Sequence, residues 1–426
     1  MTHSVPIVAV FGGACSGSEA AFQLASRGIH VAVFEQQALP YGKIEDGLPK
    51  WHVKLRDKEE GKIDSRLSHP NIHFIPNTRL GGDLDFNDVV HEWGFSAVIL
   101  ASGAWRDRPL PVDGIDEFEE SGFYYQNAFV DWFNHNHEPG YSRNTYQATD
   151  GAIVVGGGLA SIDVVKILML ETTTEALRKR GKLVDVISLE HIGIPAMLEE
   201  HGLTFSELNL KGCTLFYRRR SSDMPLASIP DGADEARIEK VRQVRQKILR
   251  LAQEKYLFRF QECCKPVAPL AENGRLGGLL FQKTEVVDGR VQSIENSEFK
   301  VHAPLTISSI GSIPQPIRGI PSKGELFIVP DHETGRVEGF EHVFAVGNAV
   351  TGTGNIRQSE LHSRRITTRI IDEYLNWTDS SAAETVPDST VLEKIRARQH
   401  AVGYQNNYQE WTDRHRPVRL EHLLAP

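Results

Sequence analysis

Six small residues near the start, Gly12-Gly13-Ala14-Cys15-Ser16-Gly17, let a chain turn tightly and pass close to a ligand. Glu35 follows at the end of the next apolar run. Residue types in this order suit a phosphate and a ribose. Free N–H groups at a helix start meet a pyrophosphate, and the acid accepts from both ribose hydroxyls. A second run, Gly156-Gly157-Gly158-Leu159-Ala160-Ser161, repeats the pattern about one domain length later. Arg218-Arg219-Arg220 then follow directly on the apolar stretch Cys213–Tyr217. An acid there would hold the 2′-hydroxyl of NAD, whereas guanidinium groups suit the 2′-phosphate of NADP, which they clamp with parallel hydrogen bonds. A basic surface loop is the plain alternative. His52 stands at the start of a polar helical stretch, after a loop rich in Gly and Pro. A lone histidine is commonly structural or solvated, and that loop makes a site role an equal contender.

Each of these groups needs elements to hold it. Val5–Phe11 is a nearly continuous apolar run, as a buried parallel strand would be, and Ser18–Arg27 carries helical periodicity. Ile29–Phe34 is a second apolar run ending at Glu35, so strand, glycine turn, helix, strand and acid succeed one another. Gly12 permits the tight turn, and Gly17 lets helix and strand pack closely. Ala14 occupies the middle glycine position of the G-x-G-x-x-G pattern. Ser96–Ala104 reads as a buried strand ending in a small-residue turn, a second close approach to a ligand. A boundary is expected near Asp107–Pro111. Ala152–Val155 opens the second unit, with a helix expected to about Leu170. Ala233–Tyr256 is expected as a long helix with Val241, Val244, Ile248 and Leu251 as its apolar stripe. Its Arg237, Lys240, Arg242, Arg245, Lys247 and Arg250 form either a solvated face or a dock for an acidic partner. Phe258–Phe260, Leu276–Thr284, Arg290–Ser293 and Pro304–Ile310 read as strands, with Asp288-Gly289 as a hairpin turn. His342–Val346 is a further buried strand running into Gly347-Asn348 and on to Gly354-Asn355-Ile356, then a helix to Asn376. Thr378–Thr390 reads as a polar linker, and Val391–Asp413 as a helix with an appended segment.

A chain of 426 residues suggests two or three folded units. A net charge of −9 and the lack of a long basic run argue against a nucleic-acid binder. The four cysteines, Cys15, Cys213, Cys263 and Cys264, form no C-x-x-C, so no redox disulfide of that type, cluster ligand set or other metal site is expected. Few cysteines fit a reducing cytoplasm, and no signal peptide or membrane-spanning stretch is expected. Two glycine turns, each between a strand and a helix, imply two nucleotides in one protein of α/β class with two Rossmann-like domains.

Several motifs in register resemble the adrenodoxin reductase family of NADPH:ferredoxin reductases, and share features with the small subunit of glutamate synthase. They are Gly12–Gly17, the PYG…GLPxxH loop that ends at His52, the SGA turn at Ser102–Ala104, and GGGLASID at Gly156–Asp163. The arginines after Cys213–Tyr217, SIG at Ser309–Gly311 and GN…TGTGNI at Gly347–Ile356 complete the set. The tail with Trp411 is like the adrenodoxin-reductase branch, and YRRRSSDMP at Tyr217–Pro225 is more like the glutamate-synthase branch. The resemblance implies a glutathione-reductase-like pair of three-layer domains. The FAD domain would be discontinuous, at 1–108 and 322–377, the NADP domain would span 109–321, and 378–426 would be linker and appendage. It implies FAD against Gly12–Gly17, Glu35, Gly42, Gly47, Ser102, Gly103, Gly347, Asn348, Gly354, Asn355 and Ile356. It implies NADP(H) against Gly156, Gly158, Leu159, Ala160 and the three arginines. The nicotinamide would meet the flavin near His52 and Asp163, with His52 as proton relay or polariser, and Glu235 is one candidate for a further active-site acid. Asn348 stands where the two branches carry Trp or Asp. The implied reaction moves hydride from NADPH to FAD and then single electrons to a separate iron–sulfur carrier such as ferredoxin. An electron-input subunit of a larger complex and a flavin monooxygenase or oxidase are the alternatives.

Overall fold

A computed structural model describes residues 5–230, 232–352, 355–377 and 387–424. The chain forms two units. The first comprises Met1–Leu48, His52–Arg106 and Ser312–Val418, and the second Pro49–Trp51, Asp107–Gly311 and Arg419–Pro426.

In the first unit, Ile7–Phe11 pairs in parallel with His30–Phe34 on one side and Ala97–Leu100 on the other. Ile72–Ile75 and Val343–Ala345 extend the sheet at its two edges, also in parallel. The five strands therefore reverse direction of winding between Ile7–Phe11 and Ala97–Leu100. Alternate residues of each strand feed two apolar clusters. Val8, Val10, Val31 and Val33 join helical Leu24, Ile63 and Ile366 on one face. Ile7, Ala9, Phe11 and Phe34 join Phe86, Val89 and Ile395 on the other. Parallel strands buried on both faces need this continuous apolar composition.

The second unit repeats the plan. Ile153–Gly156 lies between Thr306–Ser309 and Thr214–Phe216, with Phe123–Tyr125 and Arg259–Gln261 as edges, all parallel. Helices cover one face, with Val154, Val165 and Leu168 in the same cluster. A three-stranded antiparallel sheet covers the other, where Val155 and Phe216 pack with Leu279 and Phe281. Its turn at Asp288-Gly289 has φ of 47° and 73°, the paired left-handed conformation that a two-residue hairpin of this twist requires. The fold is thus α/β with two Rossmann-like layered sheets.

Several local expectations change. The second glycine turn opens the helix Leu159–Arg178, which runs a further two turns past Leu170. The strand Cys264–Glu272 was not expected, and Arg290–His302 extends far beyond Ser293. On the helix Glu235–Tyr256, Val241, Leu249 and Tyr256 are buried, whereas Val244 and Leu251 are 42% and 49% exposed. Half of the expected stripe holds, since Ile248 also packs against the core, and Arg245 turns toward that side to donate to the carbonyls of Ala227 and Ser222. The described segment after the linker holds three helices, Ser389–Ala401, Tyr408–His415 and Leu420–Leu424. The linker lies mostly outside the described residues. Among the described residues no helix is long and apolar enough to cross a membrane.

Candidate functional site

In the first unit the two central strands end beside one another, at Phe11 and Leu100, and their following turns line a cavity of about 340 Å³. This is the switch point of an open parallel sheet, where ligands bind. Gly12 turns the chain at φ 102°, and a side chain there would meet the Ala101 carbonyl oxygen at 2.5 Å. A Cβ on Gly17 would stand 1.7 Å from the Gly12 carbonyl oxygen, so only glycine lets the helix Cys15–Ala25 start so close to the strand. That helix has no side-chain cap and no acid in its first turn. Its N-terminal N–H groups and dipole end suit an anion, and Ala14, Cys15 and Ser16 line the cavity there. The Ala14 methyl faces Gly42, which has φ 54° and so no side chain to compete for the space. Burial pushes the Cys15 thiol up to about 12, which leaves it a packing group at neutral pH.

Glu35 is buried and also lines the cavity. Its carboxylate accepts from the Gly13 N–H at 2.8 Å and the Gln37 N–H at 3.1 Å. Burial pushes its pKa up to about 7, with those N–H groups opposing the rise. The carboxylate thus ties the glycine turn to the next strand while keeping lone pairs for ribose hydroxyls.

Gly42, Gly47, Ser102, Gly103, Asn348, Asn355 and Ile356 line the same cavity. Asn355 caps the helix Ile356–Arg369 by accepting from the Gln358 N–H. Gly347 packs behind the wall, where a Cβ would meet the Ser16 hydroxyl at 2.7 Å. Its N–H donates to Nδ1 of His362, which places the imidazole proton on Nε2. Gly354 lies outside the described residues. Sequence reasoning missed Thr78, Arg79, Trp105 and Gln315, all in the lining. Arg79 donates to Gln315 at 3.0 Å. The Pro-bearing run after Gly311 was the only available signal for Gln315. His52 is not among the lining residues; it directly precedes the helix Val53–Leu67 in the first unit without a side-chain cap bond, whereas Asp163 belongs to the second unit.

In the second unit, Gly156 abuts the Ser309 carbonyl oxygen, 2.3 Å from where a Cβ would lie. The Tyr217 ring covers Gly157, while the space beside Gly158 is open. The helix Leu159–Arg178 begins without a side-chain cap, and Leu159 is 52% exposed. Tyr217 thereby sets the arginine loop beside the open helix end. Asp223 pairs with Arg219 at 3.6 Å and Arg220 at 3.3 Å, and Arg219 also donates to the Gly289 carbonyl. Arg218 is exposed and has no ion pair among the described residues. Asp163 lies 3.9 Å from Lys166, which bonds Glu190 at 2.8 Å and sits 4.4 Å over the Trp51 ring. Glu235 is exposed at the start of its helix.

Two parallel sheets, each with a glycine turn and an open helix end at its switch point, define a pair of Rossmann-like domains of the kind that suits dinucleotides. No family model matches the chain. It is 23% identical to the mitochondrial NADPH:adrenodoxin oxidoreductase of Arabidopsis thaliana, over 94% of this chain and 90% of that one. It is 29% identical to the glutamate synthase [NADPH] small chain of Bacillus subtilis strain 168, over 42% of this chain and 34% of that one. Its fold matches Mycobacterium tuberculosis FprA in complex with NADPH, with TM-score 0.69, 18% identity and coverage of 94% and 90%. In sequence the chain is similar to the adrenodoxin reductases along nearly its whole length, and in fold it is similar to FprA.

Proposed function

We propose that the chain is an FAD-dependent oxidoreductase that takes electrons from NADPH and delivers them to an iron–sulfur protein. The observation that carries the reading is the duplicated switch-point turn, together with likeness to adrenodoxin reductases along nearly the whole chain. FAD belongs to the first unit, with its pyrophosphate at Gly12–Gly17 and its ribose at Glu35. NADPH belongs to the second unit, with its pyrophosphate at Gly156–Ala160 and its 2′-phosphate at Arg218. Bound there, FAD would accept hydride from NADPH and release electrons one at a time.

The chain's own residues supply position and environment. The uncapped helix ends neutralise pyrophosphate charge, and the glycines admit the backbone to contact distance. Arg219 and Arg220 brace the loop through Asp223, which leaves Arg218 to meet a phosphate. His52 would serve as a proton relay or polariser near the reacting rings, and Asp163, near Lys166, would lie beside the nicotinamide. The four cysteines contain no cluster ligand pattern, so the final acceptor is a separate carrier or a companion subunit. Their scarcity suits a reducing compartment such as the cytoplasm.

The test is to purify the protein, record its visible spectrum, and titrate NADPH and NADH without oxygen. A yellow protein bleached by NADPH at lower concentration than NADH is expected. Failure to take up FAD on reconstitution removes the reading. A flavin that NADPH does not bleach would instead favour a non-catalytic subunit, and oxygen uptake matching NADPH loss would favour an oxidase.

A further inference from the structure

The helices Ser389–Ala401 and Tyr408–His415 pack on the first unit, with Val391, Ile395, Tyr404, Tyr408 and Trp411 buried. Among their polar contacts, two reach the cavity wall or the residue directly before it. Arg398 donates to the Thr78 hydroxyl at 3.0 Å, and Thr78 lines the cavity while its N–H donates to the Glu35 carbonyl at 2.7 Å. The second contact is centred on Asp64, one turn from the end of the helix Val53–Leu67. Its carboxylate accepts from the Tyr408 hydroxyl at 2.8 Å, from Arg416 at 2.8 Å, and from the Tyr41 hydroxyl at 3.0 and 3.1 Å. Tyr41 is fully buried and directly precedes Gly42, which lines the cavity against Ala14. Burial and the Asp64 charge push both tyrosines well above their ordinary pKa, so both stay neutral donors.

We infer that Asp64, Tyr408 and Arg416 are positioning residues that latch the Tyr41–Gly47 loop, and hence one wall of the cofactor cavity, to the C-terminal appendage. The inference rests on the cavity being the FAD site. None of the three lines the cavity, so none touches the ligand directly. A carboxylate with two tyrosines and an arginine is needed to join three segments far apart in sequence. Loss of the Asp64 carboxylate removes the acceptor of the Tyr41 hydroxyl, and loss of Tyr408 or Arg416 removes a tie that holds that carboxylate in place, so either change loosens the Tyr41–Gly47 segment. Bonds to a charged acceptor are the stronger kind, so their loss is felt at the wall.

The test compares wild type with Tyr408→Phe, which keeps the ring, and Asp64→Asn. Amide hydrogen exchange of Tyr41–Gly47 should accelerate in the FAD-free protein, while exchange in the strand Ile7–Phe11 stays at the wild-type rate. The dissociation constant for FAD should rise about tenfold, while KM for NADPH at saturating FAD is unchanged. Unchanged exchange in both variants overturns the inference, and so does acceleration spread evenly through the sheet, which marks a general packing role. If wild type fails to bind FAD yet the local acceleration appears, the latch stands and the cofactor assignment falls.

Discussion

Glu35 pays for its place with a pH dependence that can be measured. Its folded pKa of about 7 lies above the ordinary 4.5, so the folded state holds a proton that the unfolded state releases. Stability from this group is therefore full below 4.5 and is lost as pH rises through 7. The FAD-free protein should melt lower as pH is raised across that window. Ribose hydroxyls donating to the carboxylate favour its ionised form, so FAD should bind more tightly as pH rises between about 5.5 and 8.5. Fluorescence titrations at several pH values check this, and Glu35→Gln should flatten the slope. His30 and His73 give the opposite sign. Their rings share one hydrogen bond, Nδ1 to Nε2 at 3.1 Å, and burial lowers both, His73 to about 4 with Arg396 adding repulsion. Stability from the pair is present above the ordinary 6.5 and is lost as pH falls through 4. The melting temperature should drop along that acid limb, and less steeply in His73→Asn.

The glycine turns were legible because their requirement is steric and local: no other residue fits at Gly12 or Gly17. Gly17→Ala should destabilise by about 1–3 kcal/mol, seen as a shifted denaturant midpoint, and should release FAD. The wall formed by Thr78, Trp105 and Gln315 was not legible, because it is assembled from loops distant in sequence. Cys264–Glu272 escaped notice because Pro266 and Pro269 argue against a strand. It is an edge strand, where those missing donors cost little and its register shifts beside each proline. Arg290–His302 was cut short at Ser293 because Glu295-Asn296-Ser297 breaks the alternation, and Asn296 has φ 52° where the pairing slips. The arginine loop divides by role in a way its letters do not. Arg218→Ala should raise KM for NADPH with little effect on NADH, losing about 1.5–3 kcal/mol for a charge-assisted pair. Arg219→Ala, which leaves Asp223 with Arg220 alone and removes the donor to the Gly289 carbonyl, should weaken both coenzymes, and steady-state kinetics with each separates the two.

At the scale of the molecule, the net charge is −9, yet one helix shows a cationic outer side. With Arg245 turned inward and Arg242 beside Glu239, the exposed residues Lys240, Val244, Lys247 and Leu251 share one stripe of Glu235–Tyr256. Lys240→Glu with Lys247→Glu should slow electron delivery to a ferredoxin and leave reduction of a small dye intact. The wild-type ferredoxin rate should fall as salt rises, since exposed charges are screened over about 8–10 Å. An unchanged ferredoxin rate in the double variant removes this stripe from docking. The interrupted first unit bears on how the protein is made. Strand Ala97–Leu100 leaves the ribosome long before its neighbour Val343–Ala345, by on the order of 10–50 s at roughly 5–20 residues per second. During that delay Val8, Val10 and Ile99 lack Ile366 and the later helix that covers them. The inserted second unit carries all the strands of its two described sheets and can close first, with Trp51 of the earlier segment in its core. The nascent chain therefore carries an open apolar sheet through most of its synthesis, and chaperone demand should be set by elongation speed across Asp107–Gly311.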